Sequence, residues 1–337
     1  MSASAAGGPA SGGSSLRGSR VLVTGGSGFI GRQVVAQLSD AGAHVRVIDL
    51  QPHPDPDVEI VQGDLVDPAM RQAAFDGGFD FVVHLAAVTS VLRSLEQPEL
   101  TYRTNVAATA GLLEDARHAG VKVLVFASTN AVTGPMDAPA ITEAATLRPL
   151  TPYGSTKAAG EMLMWAYTAS YGMRCAYLRL TNVYGPGMQA KDSIVARLMR
   201  GIRLGKEFEI YGDGTQVRDY VHVHDVVAAA KLALTDERWQ GATVIGTGHS
   251  LSVLEVVDEV LRVSGAELAV HHGPAKPGEM PAVIVDPSRA RSQGWDPQYT
   301  FAEGLIGVWD EWSRAEIEAA EPLAGGAGLA GAAGNPA

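Results

Sequence analysis

The run Thr24-Gly25-Gly26-Ser27-Gly28-Phe29-Ile30-Gly31 leaves this chain few folds to choose from. It follows the apolar residues Val21-Leu22-Val23 and opens a segment, Gly31 to Asp40, with the spacing of a helix. A strand that turns on glycines into a helix is the phosphate-binding turn of a doubly wound α/β sheet. Gly25 permits the tight turn, Gly28 lets backbone approach a pyrophosphate, and Gly31 lets the helix pack on the strand. The pyrophosphate then meets free N–H groups at the positive end of the helix. A glycine turn alone needs no ligand, but the flanking strand and helix favour binding.

The rest of the chain repeats this alternation. Strands are predicted at His44 to Asp49, Val58 to Val61, Phe81 to Leu85, Val123 to Ala127 and Arg174 to Arg179. Helical spacing runs from Glu99 to Ala119 and from Tyr153 to Tyr171. The expected fold is therefore α/β, a Rossmann doubly wound parallel sheet covered on both faces, with a smaller C-terminal substrate-binding lobe. After Arg179, loops such as Tyr184-Gly185-Pro186-Gly187 and Tyr211-Gly212-Asp213-Gly214 interrupt short elements, and Pro274 to Pro287 is irregular. The expected division is a nucleotide-binding domain over 19–181 with a return segment at about 223–247. The lobe takes 182–222 and 248–315, and helix-like segments at Val223 to Ala233 and Val253 to Ser264 divide between the two parts. The Ala/Gly/Ser-rich ends, 1–18 and 321–337, read as disordered tails.

Composition excludes several classes. The formal net charge of −11, from 26 basic and 37 acidic residues, opposes non-specific binding to nucleic acid or an anionic membrane. No run of about 20 apolar residues suggests a membrane span, and the N-terminus lacks the apolar core of a signal peptide. With one cysteine, Cys175, no internal disulfide can form, so a cytoplasmic location is expected. His222 and His224 alternate on a predicted strand, but too few ligands accompany them and no metal site is expected.

Two further groups speak to chemistry. Asp49 closes the second strand, where a carboxylate accepts hydrogen bonds from ribose hydroxyls and repels a 2′-phosphate. That selects NAD over NADP as the cofactor. Asp64 either holds the adenine edge or makes a simple turn. Tyr153 and Lys157 stand four apart at the start of a helix and share a face. A tyrosine, with a reference pKa of about 10, needs a neighbouring cation to act as a base near neutrality. Ser128-Thr129 ends the preceding strand, at the carboxyl edge where such sheets bind ligands.

With these motifs assembled, the chain resembles the NAD-dependent epimerase/dehydratase family of nucleotide-sugar enzymes, of the extended short-chain dehydrogenase/reductase type. The resemblance spans about 20–315. It rests on Thr24–Gly31, His84-Leu85-Ala86-Ala87, Asn105-Val106, Ser128-Thr129, Tyr153–Lys157, Arg179 to Pro186 and Gly212 to Tyr220. It implies Tyr153 as acid/base, Lys157 as its partner and a ligand of the nicotinamide ribose, and Thr129 as the catalytic hydroxyl. To the cofactor set it adds Phe29, Ile30, Leu65, Leu85, Ala86, Ala87, Asn105, Ser128 and Thr181. To the substrate set it adds Thr89, Ser128, Asn182, Arg218, Lys276 and Glu279. Dehydratases of the family resemble Thr-Asp-Glu where this chain has Thr129-Asn130-Ala131, so elimination of water lacks its carboxylates. The family's Arg-Pro-Gly-Asp resembles Lys276-Pro277-Gly278-Glu279, whose lysine cannot form a bidentate fork. Seven positions on, Val283 either gates the sugar pocket or is a core residue of Ala282-Val283-Ile284-Val285.

The reaction implied is 4-epimerisation of a UDP-hexose through a transient 4-keto sugar. The alternatives are a net NAD(P)-dependent ketoreductase or dehydrogenase and, outside enzymes, an idle NAD-binding regulator. The apolar helix bearing Met162, Met164, Trp165 and Tyr167 is either buried or, as in the family, the face of a homodimer.

Overall fold

The computed structural model describes residues 15–135, 138–274 and 282–315. The first strand, β1 (Arg20–Thr24), leads through the glycine turn to α1 (Phe29–Asp40), β2 (His44–Asp49) and β3 (Glu59–Gln62). The chain then crosses over through α2 (Pro68–Phe75) to β4 (Phe81–His84). Next come α3 (Val91–Glu96), α4 (Pro98–Tyr102), a π-turn (Arg103–Ala107) and α5 (Ala108–His118), followed by β5 (Val123–Thr129). The segment predicted as one helix from Glu99 to Ala119 is thus broken by a π-turn, a departure that hydrophobic spacing does not reveal. The long α6 (Pro152–Tyr171) returns to β6 (Arg174–Leu180).

Seven parallel strands form the main sheet in the order β10-β6-β5-β4-β1-β2-β3, where β10 is Gly241–Ile245. Along β1, Val21 and Val23 face one side and Leu22 the other, and all three are fully buried. That is the signature of a parallel sheet covered twice. The first face packs on α1 and on α8 (Val223–Thr235); the second packs on α2, α5 and α6. The chain order reverses between β1 and β4, so the ligand crevice opens beyond the ends of these two strands.

The remaining elements are β7 (Asn182–Tyr184), α7 (Ile194–Leu204), β8 (Phe208–Tyr211), β9 (Val217–His222), β11 (Ser250–Ser252), α9 (Val253–Ser264), β12 (Val270–Gly273), α10 (Ser288–Ser292) and α11 (Phe301–Arg314). They build small sheets β11-β9-β7 and β12-β8 around a core that includes Met199, Phe208, Val256 and Trp312. The expected histidine pair is corrected here. His222 ends β9, but the chain turns into α8 at once, and the His222 imidazole caps that helix by accepting from the His224 N–H. Among the described residues no cluster of three metal-ligating side chains forms, and no helix is long and apolar enough to cross a membrane. Of the expected tails, only 15–18 fall within the described residues, where Gly18 bonds back to Gly42.

Candidate active site

The glycine turn is shaped for a bound group. Gly25 has a φ of +71°, and a side chain there would strike the backbone of Ala86. A side chain at Gly31 would collide with the Gly25 carbonyl. Helix α1 begins at Gly28 with no side-chain cap, whereas α2, α6, α7, α9 and α11 are capped by Asp67, Thr151, Ser193, Ser252 and Thr300. Uncapped N–H groups over a close-packed glycine turn suit a pyrophosphate. Asp49 pins this turn: its carboxylate accepts from the Ser27 and Gln51 N–H groups, both at 3.0 Å, and it stays partly exposed. These residues fit a dinucleotide cofactor.

Opposite the turn runs Leu85-Ala86-Ala87-Val88, half-buried, with Thr89 exposed beyond it. Asn105 spends its side chain on this loop. Its Oδ1 accepts from the Val88 N–H at 2.7 Å, and its Nδ2 donates to the Val88 carbonyl at 2.9 Å and to the Thr156 hydroxyl at 3.1 Å. Asn105 therefore shapes the loop that walls the crevice.

The catalytic set gathers at the carboxyl end of β5. Thr151 caps α6 by accepting from the Gly154 N–H, which places Tyr153 in the first turn, and the Tyr153 phenol hydrogen-bonds with Thr129. Burial pushes the phenol up to about 12, and the Thr129 hydrogen bond draws it back down. One turn on, Lys157 is buried with its Nζ donating to the Ala127 carbonyl at 2.8 Å and 4.5 Å from the centre of the Phe126 ring. Burial pulls this ammonium down to about 7. Helix α6 comes this close because residue 160 is glycine: a Cβ there would lie 2.7 Å from the Phe126 ring.

Five of the expected site residues have side chains engaged within the protein. The Ser128 hydroxyl points away from the crevice and donates to Glu161 at 2.5 Å. Glu161 in turn receives Arg179 at 2.8 Å, with the two side chains 3% and 5% exposed, because a buried carboxylate collects the donors around it. Thr181 likewise gives its hydroxyl to Asp219 at 2.9 Å, a buried carboxylate that also accepts from Thr247 and Gly248. Burial holds Asp219 above the usual carboxylate range. The Leu65 side chain belongs to the core under the sheet. Val283 is 3% exposed and packs with Ile141, Val244 and Val285, its N–H bound to the Val217 carbonyl, so it is a core residue and no gate. Asp64 makes its turn, accepting from the Val66 N–H at 2.9 Å.

A cleft of about 420 Å³ lies between β7, β8, β9 and α7. Asn182 and Arg218 line it, the former donating to the Asp219 carbonyl at 2.9 Å. Sequence reading did not single out the aromatic wall: Phe208, Tyr211 and Tyr220 line the same cleft, and Arg197 lies over the first two rings at 5.1 and 5.5 Å. The signal available was the apolar alternation Phe208-Glu209-Ile210 just before the glycine loop. Lys276 and Glu279 lie outside the described residues.

The sequence model of the NAD-dependent epimerase/dehydratase family matches residues 21–246. The UDP-glucose 4-epimerase of Lactobacillus helveticus is 32% identical over 321 residues, covering 88% of this chain and 97% of that protein. Among solved structures, the UDP-glucose 4-epimerase of Thermus thermophilus in complex with NAD superposes with a TM-score of 0.83 at 34% identity, covering 88% and 100% of the two chains. MoeE5 in complex with UDP-glucuronic acid and NAD superposes with a TM-score of 0.81 at 38% identity, covering 88% and 99%.

Proposed function

Because the chain belongs to the NAD-dependent epimerase/dehydratase family, we propose that it inverts C4 of a UDP-hexose and returns a sugar at the same oxidation level. The observation that carries this reading is the Thr129–Tyr153–Lys157 set, complete at the end of β5, beside Asn130 and Ala131, which offer no carboxyl group for eliminating water. Bound NAD supplies a reversible acceptor and donor of hydride.

The protein's part is to hold, orient and move a proton. The Tyr153 oxygen takes the proton of the C4 hydroxyl as that carbon becomes a carbonyl, and gives it back after the ring has presented its other face. The Thr129 hydroxyl stabilises the phenolate by hydrogen bonding, as its downward pull on Tyr153 indicates. Lys157 stands one turn from Tyr153 and, when protonated, favours the phenolate; burial draws that ammonium down to about 7, so its charge fades as the pH rises past neutrality. Glycine-turn N–H groups and Asp49 hold the dinucleotide, with Asp49 favouring NAD. Asn182, Arg218 and the aromatic wall of the cleft hold the nucleotide end of the substrate, a guanidinium matching phosphate oxygens.

We further propose a homodimer. Leu92, Leu95, Tyr102, Met162, Trp165 and Tyr171 are exposed on α3, α4 and α6, which pack together, and a patch of this kind marks an interface. A nucleotide-sugar enzyme with one buried cysteine also fits the cytoplasm.

The test is incubation with UDP-, dTDP-, GDP- and CDP-hexoses and with UDP-glucuronic acid, with NAD, read by proton NMR. A C4 epimer of a UDP-sugar is expected, and Tyr153→Phe should lower its formation by about 10²–10⁴-fold while leaving NAD binding in place. A 4-keto-6-deoxy sugar, net oxidation, or no reaction with any UDP-sugar would overturn the reading.

A further inference from the structure

Behind the cofactor crevice a chain of hydrogen bonds runs through the sheet, and His84 is its centre. His84 is fully buried at the end of β4, with its ring stacked on Phe126. Its Nδ1 lies 2.7 Å from the Thr24 hydroxyl and its Nε2 lies 2.8 Å from the Thr109 hydroxyl. Both threonines are fully buried. Thr24 also accepts from the Ala86 N–H at 3.2 Å, and Thr109 donates to the Asn105 carbonyl at 2.7 Å.

The two ends fix the direction of every bond between them. A backbone N–H can only donate and a carbonyl can only accept. Thr109 gives its proton to Asn105, so it accepts from Nε2–H of His84. Thr24 therefore turns its own proton to Nδ1. The imidazole is held in one neutral tautomer, and burial, which pulls its pKa down to about 3, keeps it there. The chain joins Thr24, which enters the glycine turn, to the π-turn that carries Asn105. Asn105 clamps Val88 through both backbone groups and reaches Thr156, whose hydroxyl bonds to the Tyr153 carbonyl.

We propose that His84 is a positioning residue for the dinucleotide: it sets the spacing between the glycine turn and the Leu85–Val88 loop, the two walls of the cofactor crevice. His84 acts through Thr24 and Thr109 and touches no reactant. This inference rests on the reading of that crevice as the NAD site.

The test is Thr109→Val, which keeps the side-chain shape and removes the hydroxyl, beside Thr109→Ser, which restores it. NAD affinity is read by calorimetry, and melting without NAD is recorded separately. Thr109→Val should bind NAD roughly tenfold more weakly, the size of one lost buried hydrogen bond. Thr109→Ser should recover most of that loss. Unchanged NAD affinity in Thr109→Val, even with a lower melting temperature, overturns the proposal, as does a serine variant no better than the valine one. Nitrogen-15 NMR of the native imidazole gives a readout independent of the variants: a proton on Nε2 is expected, and a proton on Nδ1 overturns the relay. A native chain that binds no NAD would overturn the cofactor reading and this inference together, whereas equal binding by native and valine chains overturns the inference alone.

Discussion

Tyr153 and Lys157 are tuned in opposite directions by the same cause. Burial penalises whichever form is charged, so it raises the phenol to about 12 and lowers the ammonium to about 7. Thr129 works against that penalty on the phenol, since a hydrogen bond to the phenolate favours it. Removing the hydroxyl with Thr129→Val should therefore raise the Tyr153 pKa further. The base form becomes scarcer at any given pH, and the rising limb of kcat/KM against pH should move to higher pH. Thr129→Ser should keep the native profile. A valine variant with an unmoved limb would show that Thr129 does not set the ionisation of Tyr153. Tyr153 and Lys157 stood out in the sequence as a pair four apart at the start of a helix, and Thr129 as one of two hydroxyls ending β5, the choice between them coming from the family resemblance. Ser128 misled for a related reason: side chains alternate across a strand. Adjacent hydroxyls at Ser128 and Thr129 therefore face opposite sides, and only one can face the crevice.

At the scale of elements, α6 is fastened to the sheet by charge as well as by packing. Tyr153, Lys157 and Glu161 recur every four residues on one face, and Glu161 anchors that face to Ser128 of β5 and Arg179 of β6. Arg179 goes on to the Glu143 carbonyl at 3.1 Å, which ties down the segment between β5 and α6. Removing one partner of such a pair strands a buried charge. Glu161→Ala should cost about 3–5 kcal/mol of stability, and Ser128→Ala only about 1 kcal/mol. Denaturant unfolding of both variants checks the order; equal and small losses would mean that packing alone holds the helix. Hydrophobic period and glycine placement are local, so the sequence showed the first strands of the main sheet, α1 and α6 almost to their ends, while α2, α7, α11 and the short strands of the lobe were not singled out. It did not show that Glu161 meets Ser128 or that Asp219 meets Thr181, since these partners are more than 30 positions apart and are brought together only by the strand order. The π-turn was hidden too, as one extra residue barely disturbs the hydrophobic spacing of the long segment that holds it.

At the scale of the molecule, the exposed apolar residues of α3, α4 and α6 gather on helices that pack together. Trp165 is 60% and Met162 65% exposed, on a chain whose net charge of −11 otherwise favours solubility. A double substitution Met162→Glu with Trp165→Glu should turn a dimer into a monomer by light scattering, with little change in the far-ultraviolet circular dichroism. A native chain that is already monomeric would contradict the dimer. The central claim, that the hydride taken from C4 is returned to C4 within one active site, is tested most directly with UDP-glucose deuterated at C4. UDP-galactose that keeps the deuterium at C4 is expected, formed without accumulation of free NADH. Loss of the label to solvent, or formation of NADH in proportion to sugar consumed, would contradict it.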